Sequence, residues 1–322
     1  MKIVVTGGAG FIGSAFLWKL NTQGIKDIIV VDVTDKAEYS ANMKGRDITG
    51  YIERDDFLRM AESGRMDKSI DMIVHLGACA DTTQTDSEYL GRNNFQYTKA
   101  LALWSIKNNK PFFYASSAAT YGSGGAGYSD DDLFTPKLKP LNEYGWSKHK
   151  FDLWVLDNNI TNKVVGFKFF NVYGPNEYHK QDMRSMVNKG YYQIKETGRL
   201  KLFKSYKPEY NAGGQMRDFI YIKDAVEVMW FFLMNPDRRG IYNVGTGHAH
   251  TWNELGRALF KALEIGPDIE YIDMPQNIKQ QYQYFTQADL TKLRAAGCDY
   301  RFTDIDTAVK DYVGYLELGR YL

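Results

Sequence analysis

The stretch "VTGGAGFIG" at residues 5–13 limits what this chain can fold into more than any other feature. It lies between an apolar run, "KIVV", and a segment with helical character, "FIGSAFLWKLNTQG". Gly8, Gly10 and Gly13 fit G-x-G-x-x-G, and Gly7, Gly10 and Gly13 fit the related G-x-x-G-x-x-G. Glycines there allow a tight turn, let the backbone approach a pyrophosphate, and seat the following helix close to its sheet. The helix N-terminus then offers unpaired N–H groups and a partial positive charge. A glycine triplet alone can also be a purely structural turn. Here a strand precedes it, a helix follows it, and the next apolar run, "DIIVVD", ends in Asp32, a carboxylate suited to an adenosine ribose. The pattern predicts a dinucleotide-binding βαβ unit. Asp32 favours NAD because it would repel a 2′-phosphate, while Lys36 and Arg54 are cations that could offset it or simply be solvated. NAD and NADP both stay open.

Apolar strands alternate with helical stretches through the first half: "DMIVHLGA", the helix "NNFQYTKALALWSIKNN", "PFFYASSA", the helix "YGWSKHKFDLWVLDN" and "KVVGFKFFNVYG" read as one strand. This is the rhythm of an α/β fold, a Rossmann-type doubly wound parallel sheet. From residue 172 to 216 the rhythm breaks, and "MRDFIYIKDAVEVMWFFLMN" resumes it. The expected division is a dinucleotide-binding domain over 1–171 plus about 217–248, and a smaller substrate-binding lobe over about 172–216 plus 249–322. Net charge is +1 over 322 residues, so bulk charge gives no reason to expect nucleic acid. Cys79 and Cys298 have no disulfide or metal spacing, and no metal is expected. The chain opens on a strand rather than a signal peptide, and no apolar run reaches the ~18 residues of a membrane span. A cytoplasmic enzyme without membrane partners is the expectation.

The strand "PFFYASSA" puts Ser116 and Ser117 at its C-terminal end, where open parallel sheets bind ligands. "EYGWSK" then places Tyr144 and Lys148 four positions apart, on one face of a helix. A phenol is a poor base at neutral pH, but an ammonium nearby stabilises its phenolate. At about 4 Å and an effective dielectric near 20 the attraction is about 4 kcal/mol, or roughly three pKa units. Tyr144 is thus the candidate base, with Ser117 holding the substrate oxygen. Tyr-x-x-x-Lys is a common chance match on surface helices, and it gains meaning from the glycine loop and the Ser-Ser strand end. A hydrolase is excluded by the lack of a G-x-S-x-G elbow. A cofactor-sensing scaffold with a dead site would have lost the serine, tyrosine or lysine.

With "TGGAGFIGS", "HLGACA", "YASSAATYG", "YGWSK" and "FNVYGP" in hand, the chain resembles the extended short-chain dehydrogenase/reductases that act on nucleotide-linked sugars. The likeness runs nearly end to end. Through "RDFIYIKDA", "YNVGTG" and "YFTQADLTKLRAAG" it narrows to the ADP-heptose 6-epimerases, which supply heptose for lipopolysaccharide core. Related dehydratases place acidic residues just after the Ser117 strand, whereas this chain has "SSAATYG". A 4-epimerase of the UDP-galactose type is the nearer alternative, but one tyrosine can serve both of its faces.

The resemblance implies an ADP-heptose substrate, NADP as the family's usual cofactor, and self-association into a homo-oligomer. It implies a cofactor site formed by Gly7, Gly10, Phe11, Ile12, Gly13, Asp32, Val33, Arg54, Leu76, Gly77, Ala78, Cys79, Asn93, Tyr144, Lys148, Val172 and Lys180. Substrate would contact Ser117, Asn171, Asp182, Lys189, Phe203, Arg217 and Tyr282. Arg217 has the fork geometry that suits diphosphate, although an ion pair with Asp218 is the structural alternative. Lys180, beyond the Gly-Pro turn, is implied as a second acid/base beside Tyr144, with a surface lysine near Asp182 as the plain alternative. This chain departs from the family in reading "HKQDM", with Asp182 where a serine is usual. It also has Lys189 or Asn188 in place of a later histidine, and Asp32-Val33 followed by "TDKAEY" where Asp-Asn and a lysine are common. The last departure weakens the case for NADP.

Overall fold

The computed structural model describes residues 1–33, 41–279 and 282–322. A seven-stranded parallel sheet lies at its centre, in the order β10-β6-β5-β4-β1-β2-β3. Its strands are β1 (Ile3–Thr6), β2 (Ile28–Asp32), β3 (Gly50–Glu53), β4 (Met72–His75), β5 (Phe112–Ser117), β6 (Val164–Phe169) and β10 (Gly240–Val244). β1, β4, β6 and β10 are buried along their whole length, because helices cover both faces. From β1 the chain builds outward to β2 and β3, then returns to build β4, β5 and β6 on the other side. The order therefore reverses between β1 and β4, and the crevice at their C-terminal ends is where such sheets take ligands. Register brings Thr6 beside both Val31 and His75, so three strand ends open into that crevice together.

The covering helices are α1 (Phe11–Thr22), α2 (Arg54–Glu62), α3 (Tyr97–Lys107), α4 (Glu143–Asp157), α5 (Met186–Thr197), α6 (Ile222–Met234), α7 (Trp252–Ala262) and α8 (Ile305–Leu318). α4 is started by Asn142, whose side chain accepts from the N–H of Gly145 (2.8 Å), and α5 by Ser185, which accepts from Asn188 (3.2 Å). The main hydrophobic core is continuous from Ile3 and Leu17 through Val226 and Leu259 to Tyr312 and Leu316, so apolar packing crosses the expected domain boundary. Among the described residues, no helix is long and apolar enough to cross a membrane.

The segment "KVVGFKFFNVYG" is not one strand. β6 ends at Phe169, and Asn171–Tyr173 forms β7 in a separate three-stranded sheet with β9 (Met216–Tyr221) and β11 (Ala249–Thr251). The Phe170 N–H donates to Val244 O (3.0 Å), the last tie to the central sheet before Asn171 pairs with Phe219. A largely apolar run conceals such a turn, since β6 is buried throughout and β7 goes from exposed Asn171 to buried Tyr173 within three residues. β8 (Leu200–Phe203) and β12 (Ile269–Ile272) form a further parallel pair. The stretch "NNFQYTKALALWSIKNN", expected as regular helix from Asn93, starts inside a π-helical segment, Gly91–Gln96, that leads into α3.

Candidate active site

The glycine loop is folded as a cradle. Gly7 has φ +67°, and a Cβ on it would stand 2.5 Å from the N of Gly77; one on Gly13 would stand 2.0 Å from the carbonyl oxygen of Gly7. No side chain could replace either hydrogen. The N-cap of α1 is Gly10, and no side chain caps this helix or adds an acidic residue to its first turn, so its N–H groups are left for an anionic ligand. Asp32 braces the loop, accepting from the N–H of Ala9 (2.9 Å) and of Val33 (2.8 Å). These features fit a dinucleotide pyrophosphate and the ribose beside it. Arg54 is held by Asp55 (2.7 Å) and donates to Asn93 Oδ1 (3.2 Å), which restrains the cation that could have met a 2′-phosphate. Lys36 and the rest of the stretch "TDKAEY" lie outside the described residues.

The wall beside the loop comes from β4. Leu76 and Ala78 line the cavity, whereas Gly77 packs against Gly7. Cys79 is fixed through its backbone: its N–H donates to Asn94 Oδ1 (2.8 Å) and its carbonyl accepts from Asn94 Nδ2 (2.9 Å). Asn94 also donates to Ser147 Oγ (2.9 Å), tying this wall to α4. Sequence reasoning singled out Asn93 and passed over its neighbour. His75 bridges Thr6 (2.6 Å) and Thr98 (2.9 Å), and burial pushes it down to about 3, so it is a neutral structural group. Among the described residues no group of three or more His, Cys, Asp or Glu could hold a metal.

Ser117, Tyr144 and Lys148 meet in a cavity of about 710 Å³. Ser117 ends β5, and its Oγ accepts from the Ala119 N–H (3.1 Å). Lys148 is buried and its Nζ donates to the carbonyl of Ala115 (3.0 Å). Burial pushes Lys148 down to about 8, with Asp152 and Cys79 working against that shift. The expectation that Lys148 lowers the Tyr144 pKa is corrected here. Burial raises it, and the hydrogen bond with Ser117 is what opposes the rise.

Lys180 lines the same cavity from a separate segment of chain. It sits in the 3₁₀ segment Tyr178–Met183, which Gln181 kinks with φ 47° and ψ −122°. Its Nζ lies over the Phe11 ring, 5.2 Å from the centroid, and among the described residues it has no hydrogen-bond partner. Burial lowers its pKa, Glu177 opposes that shift and Lys189 adds to it. The carboxylate acting on Lys180 is therefore Glu177, not Asp182. Glu177 is wholly buried and accepts from the N–H (2.6 Å) and Oγ (2.5 Å) of Ser185. Asp182 is exposed, does not line the cavity, and contributes only its carbonyl, to Lys189 Nζ (3.1 Å).

The far wall holds Asn171, Val172, Lys189, Phe203 and Tyr282, with Phe11 and Ile12 beneath. Of the two residues offered for the later histidine, Lys189 reaches the cavity; Asn188 is buried and donates to Tyr312 Oη (2.9 Å). Arg217 lies behind this wall, its guanidinium 5.1 Å from the Tyr282 ring centroid and 5.9 Å from that of Trp252. It donates to the carbonyls of Met216 (2.8 Å) and Gln283. Asp218 points to the other face of β9 and accepts from Thr246, Gly247 and Ala288, so the two do not form the alternative ion pair. Trp252, which lines the cavity and donates to Tyr282 Oη (2.9 Å), gave no signal in the sequence.

Comparison with known proteins agrees with this geometry. The chain is 51% identical over 310 residues to the ADP-L-glycero-D-manno-heptose-6-epimerase of Nitratidesulfovibrio vulgaris, covering 96% of each. It is 45% identical to the enzyme of that name from Fusobacterium nucleatum, over 97% of this chain and 96% of the relative. The crystal structure of the Helicobacter pylori ADP-L-glycero-D-manno-heptose-6-epimerase superposes with a TM-score of 0.79 at 27% identity, over 98% of this chain and 96% of that one. A UDP-N-acetylglucosamine 4-epimerase from Methanobrevibacter ruminantium, 22% identical with a TM-score of 0.80, shares the fold. The model of the NAD dependent epimerase/dehydratase family matches residues 3–245, the span that carries the glycine cradle, Ser117, Tyr144, Lys148 and Lys180. The chain belongs to the NAD dependent epimerase/dehydratase family.

Proposed function

We propose that this enzyme inverts carbon 6 of the heptose in ADP-D-glycero-D-manno-heptose, giving the L-glycero form, by oxidation to a ketone and reduction from the opposite face. The observation that carries the reading is one cavity lined by two proton-transfer groups from separate elements, Tyr144 on α4 and Lys180 in the segment beyond β7, where a single-faced oxidoreductase needs one. Relatives about half identical over nearly the whole chain bear the name of this activity, which supports the same substrate.

Tyr144 takes the proton of the carbon-6 hydroxyl while Ser117 holds its oxygen, and Lys148 fixes the helix end that carries the tyrosine. NAD or NADP, held along the glycine loop by Gly7, Gly10, Gly13 and Asp32, supplies the hydride acceptor and then the donor. Once the exocyclic carbon has turned, its oxygen faces Lys180, which donates the proton that completes the inverted alcohol. The lowered pKa of Lys180 suits it to exchange a proton in either direction. Lys189 and the Phe203, Tyr282 and Trp252 aromatics line the part of the cavity that would receive the nucleotide, with Arg217 behind them. The cofactor thus falls to the 1–171 and 217–248 part of the chain, and most substrate contacts to the remainder.

The test is NMR of purified protein with ADP-D-glycero-D-manno-heptose in deuterated solvent, with identification of the dinucleotide released on denaturation. Inversion at carbon 6 without deuterium at that carbon is the expected result. Deuterium there would replace hydride return by proton abstraction. Inversion of a UDP-hexose at carbon 4 in its place would overturn the substrate.

A further inference from the structure

A second constellation lies directly beneath the reacting groups, and all of it is buried. Asp152 stands one turn beyond Lys148 on α4. Its Oδ1 accepts from Tyr114 Oη (2.8 Å), and its Oδ2 accepts from Ser116 Oγ (2.7 Å) and Lys168 Nζ (2.6 Å). Lys168, on β6, also donates to Thr120 Oγ1 (2.9 Å). Both side chains of the ion pair are 0% exposed. Every arm ends next to a group of the site. Ser116 precedes Ser117; Thr120 donates to the Ser117 carbonyl (2.8 Å); and Asp152 shares its helix face with Lys148 and Tyr144.

A buried pair of this kind is a weak source of stability, because the desolvation of two charges offsets most of their attraction, and apolar residues of similar volume often serve as well. Its placement has a different logic. It clamps β5, β6 and α4 together at the one level where all three present groups to the cavity. We propose that the Asp152–Lys168 pair is a positioning device for this site, holding Ser117 against the helix of Tyr144 and setting the electrostatic field at Lys148. The proposal rests on the reading that Ser117, Tyr144 and Lys148 carry the chemistry.

The charges involved can be enumerated. Lys148 is faced by Asp152 and Tyr144 from its own helix, by His75 from β4 and by Cys79 from the segment after it. Asp152 is faced by Lys168 from β6, Tyr114 from β5, Tyr121 from the turn after β5, and His149 on its own helix. Burial keeps both histidines neutral near pH 7, so Asp152 and Lys168 are the nearby charges of opposite sign. Removing the carboxylate takes away the anion that supports the Lys148 ammonium and so disfavours it. Removing Lys168 leaves Asp152 uncompensated and favours it. The two substitutions therefore act with opposite sign, which a merely structural role would not produce.

The experiment uses Asp152→Asn, Lys168→Met and the double variant, read by the pH dependence of epimerisation and by side-chain NMR titration of Lys148. Asp152→Asn should move the Lys148 ionisation about one unit to lower pH, and Lys168→Met about one unit to higher pH, each a tenfold change in its equilibrium. The double variant should titrate near wild type while its kcat falls tenfold or more at unchanged KM, because the clamp is gone. Circular dichroism and cofactor content establish folding. If the single variants do not fold, the double variant, with no buried charge, decides: wild-type kcat and pH profile in it overturn the proposal. Single variants that shift the same way, or not at all, overturn it too. Failure of the catalytic reading looks different: wild-type protein would not epimerise, or Tyr144→Phe would be fully active, while the NMR shifts of opposite sign persisted.

Discussion

The two lysines of the cavity are held by opposite means. Lys148 sits inside a regular helix started by Asn142, packed on β5, with its Nζ on a β5 carbonyl (3.0 Å). Lys180 sits in a kinked 3₁₀ segment and has no partner for its Nζ among the described residues. Its loop is pinned from a distance. Asn176, at φ 78°, donates to Ser14 Oγ (3.0 Å) on α1 and accepts from the Leu322 N–H (2.9 Å). Tyr178 donates to the Arg320 carbonyl (2.8 Å) and meets the Tyr321 ring edge-on at 4.9 Å. A group that fixes its neighbours must not move, and secondary structure gives that rigidity. A group that must reach a substrate oxygen from the other side has to come from chain outside the sheet, so its position depends on long-range ties.

The strongest way to break this contrast is to remove each proton-transfer group in turn and follow a single turnover from each epimer. Tyr144→Phe and Lys180→Met should each lower turnover by about 10²- to 10⁴-fold, the usual contribution of a positioned acid or base. The pattern matters more than the size. One variant should still reduce bound cofactor from one epimer and the other variant from the other. If both fail on the same epimer, the two groups serve one face and the assignment of Lys180 is lost.

This contrast also explains what the sequence could and could not reveal. The glycine cradle, Asp32, Ser117 and the Tyr144–Lys148 pair depend on local periodicity and turn chemistry, which a single chain displays directly. Lys180 emerged only through family likeness. The groups that hold it, Glu177, Asn176 and residues 320–322, act across up to 146 positions and leave no periodic trace. Asn94 was missed because nothing local separates it from Asn93; only the π-turn decides which of them faces Cys79. The sign of the Tyr144 shift was misjudged for a related reason. Charge spacing is visible in sequence, whereas desolvation is a property of the assembled cavity.

Three substitutions sharpen the difference at lower cost to activity. Glu177→Gln removes the anion that supports the Lys180 ammonium. The Lys180 ionisation should move to lower pH, and at neutral pH the half-reaction in which it donates a proton should slow about tenfold, one pKa unit of effect. Ser185→Ala weakens the anchor without changing its charge and should leave the pH profile in place. A Glu177→Gln profile identical to wild type would remove Glu177 from the argument. Asn176→Ala loses one buried and one part-buried hydrogen bond and puts alanine in a left-handed conformation, so unfolding stability should fall by about 2–4 kcal/mol. Thermal or urea denaturation measures that loss, and the pH dependence tied to Lys148 should be unaffected.

The smallest expected effect is at Asp182, two residues beyond Lys180. The backbone kink at Gln181 sends the two side chains in different directions, Lys180 into the cavity and Asp182 to solvent. Among the described residues its hydrogen bond is made by its carbonyl, which any residue would supply. Asp182→Ser should therefore change KM for the nucleotide sugar less than about twofold and stability by no more than about 0.5 kcal/mol, the ordinary range for an exposed position. A tenfold change in KM would mean that the segment turns with substrate bound and carries Asp182 inward. Because Lys180 shares that 3₁₀ segment, such a result would also redraw the path by which it reaches the ketone, and the contrast between a fixed lysine and a tethered one would become a contrast between a fixed lysine and a moving one.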